Sequence, residues 1–452
     1  MRIQLAYGSS GAAVDVPDEN LVAVVEPDWP RALEPGGAAV AQSLEHPVAG
    51  PSLAERLAER TGGRSRSVGT REWRRDWLNF HAVVLASDLT RPCPSREVLG
   101  PILAELGRAG VPAECVTILI ATGLHAPLVG ERTRELVGDE IVSRYRVVNH
   151  FSRRSATLAR LGETAAGTPV VLAREWVGAD VRIATGVIEP HLMAGFSGGR
   201  KAVCPGIAGE ETVRAWHAPR FLEHERALPG CLEGNPEHEE ALAVAAFAPP
   251  HFAVNVTVDR EVRLTGVFAG ADLETVHQVG VAFLRKHVAR PVLEPCDILV
   301  TTSGGRPLDA TLYGAEKGLL TGLGVLKPGG TFVWAAALDA GFGEPEFTDL
   351  VLRYPTLEAF AAERLADGAA VLKDQWALEN LAKAVRHGEV LLWSDALPAD
   401  LRPHVPVTLV ASLAEGLERA FDKHGRDARV IVLPHGPYVL PYVDGAAQSE
   451  RG

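Results

Sequence analysis

Three apolar runs, at residues 81–86, 115–121 and 181–186, each end at a cluster of chemically capable side chains. Asp88, Thr90 and Arg91 follow the first, Thr122, Gly123 and His125 the second, and Glu189 and His191 the third. Unbroken apolar runs of this length suit strands covered on both faces. Between them, residues 95–108 carry helical spacing, 133–145 read as a helix and 146–149 as a further strand. Strands alternating with helices predict a mostly parallel sheet with helices on both sides. Ligands of such sheets collect beyond the carboxyl ends of the strands, where all three polar clusters fall.

A chain of 452 residues exceeds what one core usually serves, so two domains are expected. The first, residues 1–288, opens with a strand at 2–7 and a short helix at 53–60. It continues past the three runs with helices at 210–227 and 236–247, a hairpin at 252–258 and 262–267, and a helix at 273–288. A fresh pattern begins in the second, residues 289–452: a strand at 297–302, a glycine-bearing loop and a helix at 310–326. A turn at 327–330, a strand at 331–336 and further strands near 390–393 and 430–433 complete it. The fold class is therefore α/β, with two α/β domains built on mostly parallel sheets.

The net charge of −12 and pI near 5.7 exclude nucleic acid as the main partner, because phosphate-binding surfaces need a basic excess. Arg64, Arg66, Arg71, Arg74 and Arg75 make one basic block, read as a solvated connector. The first residues lack a charged-then-apolar leader and no apolar run is long enough to cross a bilayer, so a cytoplasmic protein with no membrane partner is expected. Five scattered cysteines without a CxxC pair fit a reducing compartment and give no zinc cluster. Cys204 alone lies close to the central polar stretch.

That stretch, residues 186–217, holds His191, the glycines Gly195, Gly198 and Gly199, then Arg200, Lys201 and His217, with almost no apolar period. Glycines here let the backbone approach a ligand, and Arg200 and Lys201 place positive charge beside it. The pattern is not a P-loop. Arg200 precedes the lysine where glycine is required, and Ala202 follows it where a Mg²⁺-binding hydroxyl is required.

Taken in order, Asp88-Leu89-Thr90-Arg91-Pro92, Thr122-Gly123-Leu124-His125, Glu189-Pro190-His191 and Gly198-Gly199-Arg200-Lys201 with His217 make the chain resemble the lactate racemase family, enzymes of the nickel-pincer nucleotide. The likeness runs from Tyr7-Gly8 through Pro307-Leu308-Asp309 to Asp374-Gln375-Trp376. It implies a nickel pyridinium-3,5-bisthiocarboxylic acid mononucleotide tethered to Lys201 through a thioamide, with His217 as a nickel ligand. Cofactor-biosynthesis proteins are then implied partners. His125 and His191 resemble the paired acid/base histidines of a 2-hydroxy acid racemase or epimerase that works by hydride transfer in the cleft between two domains.

The hydrogen on C2 of a 2-hydroxy acid is poorly acidic beside a carboxylate, so removal as hydride is the easier path. A histidine that titrates near neutrality can then take and return the hydroxyl proton. Arg91 is the candidate carboxylate clamp. Asp88 and Thr90 are expected to hold the nucleotide or brace their loop, with Gly198, Gly199 and Arg200 also on the cofactor. Lys317 matches a family lysine facing the substrate, and Trp376 is a candidate wall.

The chain departs from the lactate pattern at Gly314 and Ala310, where relatives carry glutamine. A substrate larger than lactate is the expectation, with Arg306 contacting its distal polar group. Two other classes stay open at this point. One is a carrier for a nucleotide or hydroxy acid; the other is a zinc-dependent hydrolase using His125, His191 and His217, for which no HExxH spacing speaks. The oligomeric state is not legible in the residues.

Overall fold

The computed structural model of the protein describes residues 1–62, 64, 76–366 and 368–444. Two six-stranded sheets organise it. The first runs in the order Leu264–Gly270, Phe252–Val258, Val181–Val187, Ala82–Ser87, Val116–Ala121, Arg146–Asn149. All neighbours pair in parallel except the edge strand Leu264–Gly270, which returns antiparallel from Phe252–Val258. The second is wholly parallel: Thr408–Val410, Glu389–Trp393, Leu326–Ala335, Cys296–Thr302, Val430–Leu433, Leu21–Val24.

Two α/β units on mostly parallel sheets are thus what the chain forms. The apolar runs became central strands because both faces of each are covered; Val83 and Leu85 point to one hydrophobic cluster, Ala82, Val84 and Ala86 to another. Helix Ser95–Arg108 packs Val98, Leu99, Ile102 and Leu106 onto the second of these faces.

The opening of the chain corrects the expected division at 288 and 289. Strand Leu21–Val24 pairs with Val430–Leu433 at the edge of the second sheet, and Ile3, Leu5 and Val14 pack with Val300, Val333 and Phe421. Short strands carry little information about which distant edge will take them, and this edge offered a parallel register and an uncovered apolar face.

Smaller differences have local causes. The helix expected at 133–145 is two, Glu131–Val137 and Asp139–Arg144, broken at Gly138 with φ 88°. That expected at 210–227 ends at Trp216 and resumes at Pro219–Leu222, where proline opens a new helix. That at 310–326 is three short turns, Leu308–Ala310, Leu312–Ala315 and Lys317–Leu320. Of the basic block, Arg64 stacks on Phe80 at 4.9 Å, and Arg66, Arg71, Arg74 and Arg75 lie outside the described residues. No helix among the described residues is long and apolar enough to cross a membrane.

Candidate active site

The carboxyl ends of Ala82–Ser87, Val116–Ala121 and Val181–Val187 open on a cavity of about 630 Å³ whose opposite wall comes from the second unit. From the first unit Asp88, Thr90, Arg91, His125, His191, Gly198, Lys201 and His217 line it. Lys317, Gly314 and Trp376 line it from the second, together with Tyr313, Glu316 and Asp374.

The floor is the loop after Val181–Val187, and glycine makes it possible. A Cβ on Gly186 would come within 3.2 Å of Gly198 Cα, so the loop lies directly on the strand. Gly198 has φ 78°, and a side chain there would meet Asn255 Oδ1 at 2.6 Å. The Ser197 hydroxyl donates to Val187 O at 2.7 Å and the Gly199 amide donates to Asn255 Oδ1 at 2.6 Å. These contacts fix Lys201 at the cavity edge.

Arg200 and Gly199 face the other way. Arg200 is fully buried beneath the loop, donates to Ala194 O at 2.6 Å and lies 2.9 Å from His277 Nε2; burial pushes it down to about 9. A Cβ on Gly199 would strike the His277 ring. The expected contact of both with a cofactor is therefore not the one they make, because the turn that aims Lys201 at the cavity points its predecessor into the core. Cys204 is likewise buried, and burial raises its thiol, so it is no nucleophile.

Lys201 is nine-tenths buried, its amine 4.4 Å from the centroid of the Trp216 ring. Burial, then the charges of Arg91 and Arg200, push it well below the usual lysine range, toward a neutral, nucleophilic amine. His217 stands at the end of helix Glu210–Trp216, stacked on Trp376 at 3.9 Å. Its Nδ1–H donates to Val213 O at 2.8 Å, which leaves the Nε2 lone pair free. Burial holds it down to about 3, so it is neutral at physiological pH and suited to a metal.

The remaining histidines rest in opposite tautomers. His125 Nδ1 lies 2.7 Å from Asp88 Oδ2, so it donates to the carboxylate and Nε2 is an open acceptor. Asp88 is held in turn by the Thr90 amide at 3.0 Å. Burial alone would raise the Asp88 pKa, but the hydrogen bond and charge of His125, then Thr90 and Arg91, outweigh it and hold it low. In His191, Nδ1 accepts from the Ala194 amide at 3.3 Å, which puts the proton on Nε2. Burial, then Lys201, Arg91 and Lys317, keep that ring neutral.

Asp88 and Thr90 therefore brace His125 as well as lining the cavity. The Arg91 guanidinium lies in the cavity wall 3.5 Å from Thr90 O, and its charge reaches Lys201, His191 and Lys317. Burial lowers Lys317, with Glu316 and Glu189 opposing it.

Arg306 is not part of the cavity. It pairs with Asp339 on the outside of its loop. Nor is Gly314 a vacancy: a Cβ there would lie 2.5 Å from Leu308 O, so the loop backbone occupies the space a side chain would need. Tyr313 and Asp374 went unassigned in the sequence although each sits beside a residue that was singled out. Trp376 Nε1 donates to the Tyr313 hydroxyl at 3.2 Å, fixing both on the wall.

Buried neutral histidines give the fold an acid limit. Burial holds His217 to about 3 and His150, hydrogen-bonded to Ala208 O, to about 4. Both titrate near 6.5 once unfolded, so the unfolded chain binds more protons between those values. Stability is full above about pH 6.5 and is lost as pH falls toward 4, by on the order of 5 kcal/mol for the pair. Denaturant midpoints of the metal-free protein at about pH 7.5 and about pH 4.5 check this; equal midpoints would contradict it.

A pair of mostly parallel α/β units meeting at a buried amine and three imidazoles defines an interdomain site of the kind enzymes use. Residues 78–230 match the lactate racemase N-terminal domain and 292–440 the lactate racemase C-terminal domain. The chain is 33% identical to lactate racemase of Lactiplantibacillus plantarum, over 79% of this chain and 84% of that protein. It is 30% identical to lactate racemase of Thermoanaerobacterium thermosaccharolyticum over 97% and 98% of the two chains. The solved structure of that apoprotein superposes with a TM-score of 0.86 at 29% identity, covering 98% of this chain and 100% of that one. A Thermotoga maritima protein shares the fold alone, with a TM-score of 0.63 at 18% identity over 88% and 100% of the chains. The chain belongs to the lactate racemase family.

Proposed function

We propose that the protein is a racemase or epimerase of a 2-hydroxy acid and that it uses a nickel-pincer nucleotide anchored on Lys201. One observation carries this reading: a single cavity gathers an amine whose charged form burial disfavours, an imidazole with a free Nε2, and two histidines in opposite tautomers. The donor set fits the group. A neutral amine can be acylated and a neutral imidazole suits nickel, so Lys201 would hold the nucleotide and His217 the metal.

When bound, the group supplies an electron-poor centre that takes up and returns the C2 hydrogen as hydride. Arg91 and Lys317 hold the substrate carboxylate. His125 takes the hydroxyl proton on Nε2 while Asp88 stabilises the imidazolium. His191 rests with its proton on Nε2, where it can hold the keto oxygen by a hydrogen bond, and it returns a proton to that oxygen only after taking a second one up from solvent. For the opposite hand of substrate the roles exchange. Starting from His191 first requires its Nε2 proton to leave; a pair of proton acceptors is what interconversion requires, and a carrier needs neither.

A substrate larger than lactate is part of the proposal, supported by a second-unit wall that extends over Thr311, Ala340, Gly343 and Glu344. Five free thiols suit the reducing cytoplasm, where cofactor-biosynthesis proteins would supply the nucleotide. The hydrolase alternative is disfavoured, since among the described residues no three His, Cys, Asp or Glu side chains are placed to share a metal ion.

The test is protein produced with the cofactor pathway, assayed for metal and for interconversion of enantiomers by chiral chromatography. One nickel per chain with racemisation of a 2-hydroxy acid is expected. Binding of 2-hydroxy acids without interconversion by such protein would make it a carrier instead.

A further inference from the structure

Helix Gln375–His387 of the second unit carries Trp376 and is fastened to one turn of the first unit, at Leu222 and Glu223. Lys383 donates to Leu222 O, and Arg386 pairs with Glu223 at 2.6 Å. One turn before Lys383, and so on the same face of the helix, stands Glu379. It is fully buried, and neither of its carboxyl oxygens accepts a hydrogen bond from a described residue.

A buried carboxylate without donors is costly, and the two cations nearest this one are committed to Leu222 O and to Glu223. What Glu379 meets across the seam is the Glu223 carboxyl itself. Two carboxyls in contact hold together only when one of them keeps a proton. Burial first, then Glu223, push Glu379 up to about 8, with Lys383 and Arg386 opposing. Glu237, on helix Pro236–Ala245 of the first unit, adds a further buried carboxyl whose oxygens find no described partner; it faces Lys201, Lys383 and Arg200 as well as Glu379. Elsewhere the seam carries no such condition. Arg153 pairs with Glu346 at 2.9 Å and Arg214 donates to Val371 O at 3.1 Å, contacts whose charges persist through neutral pH.

We infer that Glu379 is a positioning residue: it holds its helix against the first unit through a proton shared with Glu223, so that placing Trp376 on His217 takes up one proton. Apart, the carboxyls reach water and Glu379 returns toward the ordinary glutamate value of about 4.3. Together, it keeps its proton up to about 8. The union of the units is therefore strongest at the acid end of that window. It weakens as pH rises, by up to about tenfold in the equilibrium constant per pH unit, and levels off once Glu379 has ionised in the joined state.

The full chain, without cofactor, is followed by hydrogen exchange with mass spectrometry on peptides covering 217–223 and 375–387, which report local opening of the seam. Rates are corrected for the intrinsic effect of pH. Between about pH 6.5 and about pH 8.5 the parent's protection is expected to fall about tenfold. Glu379→Gln keeps the shape of the protonated acid and is expected to lose that fall, remaining the better protected chain at the alkaline end. Glu223→Gln, a change on the more exposed partner, removes the facing carboxyl and should flatten the profile too. Cavity imidazoles titrate alike in the three chains, so the difference between them isolates the carboxyl pair.

A parent profile that is flat over this range overturns the inference. So does a fall that persists in both variants, since the proton then belongs to another group. Protection lowered equally at every pH in Glu379→Gln, with the parent flat, marks a packing role and also overturns it. The measurement needs no cofactor and no turnover, so its outcome is separate from that of the racemase reading.

Discussion

In protein produced with the cofactor pathway, Lys201→Ala is expected to abolish racemisation and to erase the mass increment that the proposed tether would leave on the Lys201 peptide. Loss of the proposed hydride acceptor would forfeit nearly all of the rate acceleration, which for enzymes is about 10⁶-fold or more. Lys201→Arg should fail equally, because it supplies a cation at the same place but cannot form the amide-type link. The two variants separate anchoring from charge: an active Lys201→Arg would mean that Lys201 acts only as a cation. Stability should move the other way. The amine is desolvated beside Arg91 and Arg200, so Lys201→Met removes an unfavourable burial and its unfolding midpoint should equal or exceed the parent's. Intact-protein mass, metal content and thermal unfolding of the three chains give the answer.

Asp88→Asn carries the second large effect. Asparagine can present its amide N–H to His125 Nδ1, which moves the imidazole proton to Nε2 and removes the open acceptor on which the hydroxyl proton must land. A kcat lower by about 10²- to 10⁴-fold is expected, with nickel retained. His125→Ala should cost a similar amount, and the double variant little more than either alone, since both remove one device. Additive losses would show that Asp88 serves the nucleotide rather than the histidine.

The strands that carry the site were legible because both of their faces are buried and their polar clusters begin where the apolar runs stop. Asp88, His125 and His191 needed only that placement. Arg306, Arg200 and Gly314 show what sequence leaves open. Arg306 found Asp339 one loop away, and Arg200 was turned inward by the strained glycines that aim Lys201 outward. Gly314 looked like space, but the backbone of its own loop fills it. Spacing sets which residues are near one another; which face of a tight turn each one takes depends on backbone torsions that spacing does not encode.

The excursion of the first segment into the second sheet has a mechanical consequence. The polypeptide passes between the units near Asp28 and again near Ala289, and the passages touch: Asp28 N donates to His287 O at 2.8 Å, and Arg290 lies 3.4 Å from the Asp28 carboxylate. Twin links set side by side resist twisting more than bending, so any opening of the seam would be confined to one axis. The stack of Trp376 on His217 lies across that seam.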